Sequence, residues 1–347
     1  MYHILLIALL FRLAILFLFP QSRSSDLHSL LIVGDEVLRA KTSYTSNYFP
    51  FISYLGAVAV GAKPWIDPYI FLKSAFILFD IGIVWLVYRL SNNKVSALFY
   101  AVNPIPMITG IIHGQFDAIP SFFLLLSAYL ITQKKSSWSM VALSFGIFVK
   151  TWPFLFAVPI MKQLHKKKFL ILVPLLPLAA TLFHSWYFHV PLGKILYAVK
   201  DYRGVWGVWG FGFLIPWLLP SLDASWIQLI RRISLLSFAG FAMFIPSADI
   251  IQSVLVSMLF LFSITVTFGA QWVSWLVPWL CIARPCGWQW FMGIATAYVA
   301  ITFAGDVVSI SPATAVLRDQ TVLIVGIILW GVILVMLRDV LKKLHSA

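Results

Sequence analysis

The chain of 347 residues has 61% hydrophobic and only 11% charged residues, whereas about a quarter of the residues in a soluble domain are charged. Its mean hydropathy of +0.94 excludes an ordinary soluble protein, a disordered chain and a collagen-like fibre. Two cysteines, Cys281 and Cys286, are too few for a disulfide scaffold or a zinc-finger array. The composition therefore predicts an integral membrane protein.

The net charge of +13 comes from short clusters of Lys and Arg between apolar segments, and not from one basic face. We therefore expect no nucleic-acid partner. Short basic loops stay on the cytoplasmic side of a membrane, so these clusters mark the inner ends of the predicted helices. They lie at 89–94, 134–135, 162–168, Arg284 and 338–343. With this assignment both termini lie in the cytoplasm.

Apolar segments of about 20 residues can cross a hydrocarbon core of about 30 Å, and in lipid their backbone must be helical. They predict an all-α, polytopic transmembrane bundle of about ten or eleven spans, in one transmembrane domain over residues 1–347. The segments are 3–20, 69–88, 95–112, 117–133, 138–161, 169–187, 251–268, a span ending at Arg284, 289–304 and 321–337. Because it contains Lys150-Thr151-Trp152-Pro153, the segment 138–161 is predicted to form two short or broken helices. The region 211–250 permits two or three passes.

Two segments are predicted to lie outside the cytoplasm, a long first one at 21–68 and a second at 188–210. The chain has only twelve carboxylates, so any acid or base chemistry depends on that short list and on seven histidines. In the predicted topology most carboxylates lie on the outer side, namely Asp26, Asp35, Glu36, Asp67, Asp117, Asp201, Asp306 and Asp319. This one-sided distribution predicts an extracytoplasmic active site.

Asp26 follows the first span in a polar stretch, where it is either a solvated loop residue or a functional carboxylate. Asp35 and Glu36 form a second candidate pair. Arg39 and Lys41 follow them at nearly helical spacing, so charge pairing on a helix surface explains this pair as well. The sequence leaves both interpretations open at each position.

The segment 113–117, His-Gly-Gln-Phe-Asp, lies between two apolar helices at the predicted outer surface, where a desolvated carboxylate needs a partner. Asp117 either caps the following helix or belongs to a site. Lys150 is a cation near the same surface that suits an anionic ligand, and snorkelling is the alternative explanation. Asp80, in the middle of a span, is predicted to be a hydrogen-bond partner within the bundle.

The sequence contains no P-loop, no GxGxxG, no Asp-x-Asp and no His-Glu-x-x-His motif. A transferase of this kind would take its activated donor from the lipid phase; no cofactor is indicated, and a divalent metal is compatible but not indicated. An inverting transfer needs one carboxylate to accept the proton of the acceptor hydroxyl. The departing lipid phosphate needs positive donors, for which the candidates are His28, His113, Lys150, Lys200 and Arg203. Tyr202, Trp206 and Trp209 either stack on a sugar or form an interfacial belt.

Several short segments follow one another along residues 1 to about 285. They are Arg12 in the first span, Asp26-Leu27-His28, Tyr44-Thr45-Ser46-Asn47-Tyr48-Phe49-Pro50, Asn103-Pro104, His113-Gly114-Gln115-Phe116-Asp117, Val149-Lys150-Thr151-Trp152-Pro153 with Pro159, and Gln271-Trp272-Val273-Ser274-Trp275-Leu276-Val277-Pro278. In this order they resemble the polytopic GT-C glycosyltransferases that use polyprenyl-phosphate sugars, especially the mannosyltransferase-like and dolichyl-phosphate-sugar-dependent branches.

Each segment looks like one element of that family. Asp26 and 44–50 look like its acidic residue and downstream Tyr-Pro-Pro, with Phe49 in place of the first proline. Residues 103–104 and 113–117 look like its Asn-Pro and Gly-Gln-x-Asp elements. The segment 149–153 is similar to its Lys-x-x-Pro helix break, and 271–278 resembles its late Gln-Tyr-x-x-Trp-x-x-Pro, with Trp in place of Tyr.

The resemblance implies a GT-C helical bundle with a large first external loop. It implies a hexosyltransferase that moves mannose or glucose from a polyprenyl-phosphate sugar to a lipid-linked or surface glycan acceptor, with Asp26 as the general base, or Asp35 if the alignment is shifted. Donor or acceptor binding is implied for His28, Asp35, Tyr48, His113, Gln115, Asp117, Lys150, Arg203 and Gln271. Surrounded by membrane lipids, the protein would lie in the plasma membrane of a prokaryote or the endoplasmic reticulum of a eukaryote.

Two other functions fit a multi-pass chain. A transporter or lipid flippase predicts internal repeats and midplane charges on broken helices, and we see no repeated half. A non-catalytic assembly subunit predicts that Asp26, Asp117 and Lys150 lie apart. An enzyme predicts that these three residues converge on one outward-facing cavity that opens sideways to lipid.

Overall fold

The computed structural model describes residues 1–20, 22, 24–201, 204–219, 223–245 and 249–346. It is 79% helical, and the described residues contain one small antiparallel sheet. The predicted all-α class is therefore confirmed. The sheet pairs β1 (Val205–Trp206) with β2 (Thr267–Phe268), so that Val205 lies opposite Phe268.

The α-helices of the described residues range from 4 to 35 residues in length. The first ten are α1 (Tyr2–Leu18), α2 (Ser25–Leu38), α3 (Phe51–Gly61), α4 (Pro68–Ser91), α5 (Lys94–Ala101), α6 (Pro104–Met107), α7 (Ala118–Thr132), α8 (Ser136–Val149), α9 (Ala157–Lys162) and α10 (Leu172–Tyr187). They are followed by α11 (Leu192–Asp201), α12 (Gly210–Leu218), α13 (Ala224–Phe244), α14 (Ile250–Ile264), α15 (Val273–Ala283), α16 (Trp288–Thr302) and α17 (Pro312–Ser346). Ile108–Ile112 is a π-helix, and the 3₁₀ turns are Trp152–Phe156, Lys167–Ile171, Ala270–Trp272 and Ala304–Asp306.

Within the described ranges, five helical stretches are long and apolar enough to cross a membrane. They are Pro68–Ser91, Lys94–Ile112, Lys167–Tyr187, Ala224–Phe244 and Pro312–Leu344. Other apolar helices, such as α1, α7 and α8, have 10–17 residues. The helical character is thus compatible with an integral membrane protein, while the number of about ten or eleven spans and their orientation stay predictions.

The chain packs as two compact units. The first comprises Met1–Ala157 and Leu164–Tyr202, and the second comprises Val158–Gln163 and Arg203–Ala347. The single transmembrane domain over 1–347 stays a prediction, since this division describes packing and not the membrane.

The predicted break within 138–161 is confirmed. Helix α8 ends at Val149, a 3₁₀ turn over Trp152–Phe156 follows, and α9 begins at Ala157. Pro153 has no N–H to donate to the carbonyl of Val149, so α8 cannot continue through it. The break leaves Lys150 in an extended conformation directly after the helix.

A buried ion pair ties three helices of the first unit together. Arg12 of α1 donates from Nε to Asp80 Oδ2 of α4 at 2.6 Å, and Tyr100 of α5 donates to Asp80 Oδ1 at 2.5 Å. Arg12 Nη1 also donates to the carbonyl oxygen of Ala101 at 2.8 Å. The predicted role of Asp80 as a hydrogen-bond partner in the bundle is confirmed, because a buried carboxylate must be paired.

Helices α2 and α3 lie in the predicted external segment 21–68 and cross at two glycines. A Cβ atom on Gly34 would lie 2.2 Å from the backbone carbon of Gly56, and one on Gly56 would lie 2.1 Å from the carbonyl oxygen of Leu30. Small residues allow this approach of two backbones. The crossing sets the position of α2 in the first unit, and α2 carries Asp26.

We expect Gly56→Ala to lower the free energy of unfolding by about 1–3 kcal/mol, because the added methyl group meets backbone atoms and forces the two helices apart. Denaturant titration of the purified protein in detergent measures the effect. Gly61→Ala, on the same helix, is the control, since a Cβ there has no heavy atom within 4 Å. Equal stability of the two variants would contradict the close crossing.

The second unit has an aromatic interior. Trp209 is fully buried, stacks on Phe268 with ring centroids 3.9 Å apart, and donates from Nε1 to the carbonyl oxygen of Phe262 at 2.8 Å. Trp330 of α17 donates to the carbonyl oxygen of Ser263 at 3.0 Å. Trp209 is therefore a core residue, which removes it from the aromatics available to a sugar or an interfacial belt.

Candidate active site

Asp26 lies in the first turn of α2, at the surface of the first unit. Ser24 caps this helix, because its hydroxyl oxygen accepts the N–H of Leu27 at 3.1 Å. A carboxylate in the first turn of a helix is also stabilised by the helix dipole. The side chain of Asp26 is 55% exposed, so it is accessible to a substrate.

The segment after α6 brings polar side chains to Asp26. The π-helix Ile108–Ile112 ends with the N–H of His113 donating to the carbonyl of Ile108 at 2.8 Å. Such wide turns are frequent at functional sites. Gly114 follows with a φ of +81°, and a Cβ there would lie 2.9 Å from Leu27 Cδ2. A glycine is therefore needed at this position, both for the turn and for its contact with α2.

Two side chains of this segment meet the Asp26 carboxylate. Gln115, which is buried, donates from Nε2 to Asp26 Oδ2. His113 Nε2 lies 3.7 Å from the same oxygen. Among the described residues, none donates a hydrogen bond to Oδ1 of Asp26.

The surroundings keep Asp26 ionised. The nearby His113 imidazole is the largest cause that lowers the pKa of Asp26 from its ordinary value of 3.8. Partial burial raises the pKa, whereas the charge of Lys150 and the amide of Gln115 lower it. The net result is a carboxylate that is deprotonated at neutral pH and partly exposed, which is the state that a general base requires.

Behind Asp26, Asp117 and Lys150 form a buried ion pair. Lys150 Nζ lies 2.9 Å from Asp117 Oδ1, and the two side chains are only 2% and 4% exposed. Asp117 stands at the N-cap position of α7, but its side chain makes no capping hydrogen bond. The capping interpretation of Asp117 is therefore wrong, because the carboxylate is needed to neutralise a buried ammonium group.

Aromatic rings enclose the Lys150 ammonium group. It lies 4.8 Å from the ring centroid of Phe116 and 5.6 Å from that of Tyr48. These two rings pack edge to face, 5.0 Å apart. Because Lys150 is buried against Asp117 and aromatic faces, it does not snorkel.

Glu36 and Tyr44 hold the loop that presents Tyr48, a role that the sequence analysis did not give to either residue. Glu36 accepts the hydroxyls of Ser43 and Thr45 at 3.0 and 3.1 Å. Tyr44 donates its hydroxyl to the carbonyl oxygen of Tyr48. The polar run after Glu36 was the available signal, but the partners of a carboxylate seven to nine residues away cannot be read from helical spacing.

His28 and Asp35 contact residues of the first unit other than Asp26, His113 and Gln115. His28 Nδ1 lies 2.8 Å from the hydroxyl of Tyr69 on α4. Asp35 accepts from Arg39 Nε at 2.8 Å, which is the charge pairing expected from helical spacing, and Lys41 Nζ lies 3.7 Å away. Asp35 lies nine residues after Asp26, or about 14 Å along α2. Asp35 therefore lies apart from the side chains that meet the Asp26 carboxylate.

Of the two remaining predicted site residues, Gln271 belongs to the second unit. Gln271 lies in the 3₁₀ turn Ala270–Trp272, where Trp272 stacks on Trp275 with ring centroids 5.1 Å apart. Arg203 lies outside the described residues. The structure thus brings together Asp26, Tyr48, His113, Gln115, Asp117 and Lys150 in the first unit.

In the described ranges, no group of three or more His, Cys, Asp or Glu side chains is placed to hold a metal ion. Comparisons of the chain with protein-family models, with curated proteins and with solved structures found no match.

Proposed function

We propose that the protein is a membrane-embedded glycosyltransferase that moves a hexose, mannose or glucose, from a polyprenyl-phosphate carrier to an acceptor outside the cytoplasm. The acceptor is a lipid-linked or surface glycan, and the transfer inverts the anomeric configuration. The proposal joins the GT-C resemblance of residues 1 to about 285 to the apolar helical fold.

The observation that carries the proposal is the environment of Asp26. Most other described carboxylates are engaged in folding. Asp67, Asp223 and Asp249 cap helices, Asp80 pairs with Arg12, Asp117 with Lys150, Asp35 with Arg39, and Asp339 with Lys343. Asp26 instead is exposed, has a lowered pKa, and is oriented by two side chains of the distant segment 113–117, without capping a helix or pairing with a lysine or arginine of the described residues.

In the proposed reaction Asp26 Oδ1 accepts the proton of an acceptor hydroxyl. The hydroxyl oxygen then attacks the anomeric carbon of the donor from the side opposite the phosphate, and the bond between that carbon and the phosphate oxygen breaks. Polyprenyl phosphate leaves with the bonding electrons and needs no strong acid, because it is a stable anion. Gln115 and His113 hold Asp26 Oδ2 throughout.

The test uses the full chain in lipid nanodiscs with farnesyl-phosphate mannose and farnesyl-phosphate glucose as donors. Octyl α-mannoside and octyl β-glucoside serve as acceptors, and the product anomer is read by NMR. We expect release of farnesyl phosphate together with an inverted glycoside from one of the two donors. Failure of both donors, transfer from a nucleotide sugar alone, or a retained anomer would overturn the proposal.

The pH dependence of transfer gives a further prediction for His113. A base must be deprotonated, so activity is lost as pH falls through the pKa of Asp26, which lies below 3.8 in the folded protein. His113→Gln removes the largest cause of this lowering, and we expect the acidic limb of kcat/KM to move to higher pH. His28→Gln is the control, because His28 contacts Tyr69. An equal shift in both variants would argue against a specific contact between His113 and Asp26.

A further inference from the structure

Lys73, on α4, is a buried lysine that no sequence motif singled out. Its side chain is almost fully enclosed, and Nζ donates to the carbonyl oxygen of Ser22 at 2.6 Å. Burial of an ammonium group is costly unless strong acceptors compensate it, so a lysine at this position needs such a contact. Ser22 lies only four residues before Asp26.

Ser22 makes a second hydrogen bond, through its side chain. Its hydroxyl donates to the carbonyl oxygen of Ile112, and the serine itself is buried. Ile112 is the last residue of the π-helix and directly precedes His113. One residue therefore joins the segment that leads to Asp26 and the segment that leads to His113 and Gln115.

The two links act in series. Lys73 holds the backbone of Ser22 in place, and Ser22 in turn holds the end of the π-helix. Helix α2 itself is joined to the segment 113–117 through the contact of Leu27 with Gly114. The distance from Asp26 Oδ2 to Gln115 and His113 depends on this arrangement, since the three side chains come from chain segments almost 90 residues apart.

We propose that Lys73 is a positioning residue, which acts through Ser22 to hold Asp26 in register with His113 and Gln115. It does not touch the substrate. The kinetic test of this role rests on the proposed function, because it measures hexose transfer. A second test, the pH titration of Asp26, needs no transfer activity.

The experiment compares Lys73→Met, Lys73→Arg and Ser22→Ala in the full chain in nanodiscs, with farnesyl-phosphate sugar as the donor. A misplacement of about 1 Å costs about 10²-fold in rate, so we expect Lys73→Met to lose about that factor in kcat while the KM of the donor is retained. Lys73→Arg, which still donates to Ser22, should recover part of the rate. Ser22→Ala should weaken transfer in the same way, and the double variant should lose less than the product of the two single losses.

The second readout needs no substrate. Infrared spectra of protein labelled with ¹³C-aspartate measure the titration of the Asp26 carboxylate, whose band is identified as the one that Asp26→Asn removes. In Lys73→Met the pH midpoint of this band should rise, because His113, Gln115 and Lys150 lose their positions around Asp26. Lys63→Met is the control, because Lys63 is exposed and lies in the predicted external segment 21–68 that carries Asp26. If wild-type protein transfers no hexose but the midpoint still rises, the proposed function fails and the positioning role stands.

Three results would overturn the positioning role. One is an unchanged kcat and an unchanged midpoint in both Lys73→Met and Ser22→Ala. Another is a raised donor KM with an unchanged kcat, which would make Lys73 a ligand of the donor phosphate. The third is full additivity of the two substitutions. If Lys73→Met does not fold, Lys73→Arg alters the first link, the contact with the Ser22 carbonyl oxygen, and Ser22→Ala removes the second link, the hydroxyl that donates to Ile112. Unchanged kcat and an unchanged midpoint in both of these variants would then overturn the positioning role.

Discussion

The Asp26→Asn variant is expected to lose about 10²–10⁴-fold in kcat for hexose transfer, because an amide cannot accept the proton of the acceptor hydroxyl. The substitution keeps the size of the side chain, and the amide oxygen of the asparagine can still accept the hydrogen bond from Gln115. We therefore expect the KM of the donor and the stability of the protein to change little. Steady-state kinetics with a farnesyl-phosphate sugar measure both constants.

Asp35→Asn is the matched control, since Asp35 lies on the same helix and pairs with Arg39 at the surface. Surface ion pairs contribute about 0–1 kcal/mol, so this variant should keep both its activity and its fold. A loss in Asp35→Asn with normal transfer in Asp26→Asn would move the base to Asp35, which is the shifted alignment. Near-normal transfer in both variants would show that neither aspartate of α2 is the general base.

The second large effect is expected for the buried pair of Asp117 and Lys150. Lys150→Met leaves an uncompensated carboxylate behind Asp26, and loss of one partner of a buried pair costs about 3–5 kcal/mol. Asp117→Asn leaves the ammonium group among Tyr48 and Phe116 with a weaker acceptor. Unfolding of the detergent-solubilised variants by denaturant measures the stability of each.

The double variant Asp117→Asn with Lys150→Met separates structure from ligand binding. Because it removes both charges, it should be more stable than Lys150→Met alone. The acidic limb of its kcat/KM should lie at higher pH than that of the wild-type protein, since the charge of Lys150 also lowers the pKa of Asp26. If Lys150→Met keeps wild-type stability and loses only donor affinity, Lys150 is a phosphate ligand and its pairing with Asp117 is secondary.

Local chemistry made several features predictable. Composition predicted a membrane-compatible helical chain, and Pro153 predicted the break after α8, because a missing N–H acts within one turn. The pairing of Asp35 with Arg39 follows from helical spacing, and it is one of the two roles that the sequence allows for Asp35, the other being a functional carboxylate. The midspan position of Asp80 predicted that it has a partner in the bundle, although not which one.

The site was predicted only in part. Asp26, His113 and Gln115 were named from short motifs, but the contact between them joins positions almost 90 residues apart. Asp117 and Lys150 were each given a separate role, as a cap or site residue and as a cation for a ligand. The two residues are 33 positions apart in the sequence, and their ion pair forms because α7 packs against α8. No sequence motif singled out Lys73, which lies within a predicted apolar span.

The sequence by itself determined the class of the protein, because the balance of apolar and charged residues sets which solvent a chain prefers and each helix break acts locally. It also limited the possible bases to a short list of carboxylates. Only the tertiary structure decided which of the described carboxylates are engaged in folding, and that Asp26 is exposed beside His113 and Gln115. The reason is that pairing energy depends on distance and burial, and both arise when distant helices pack.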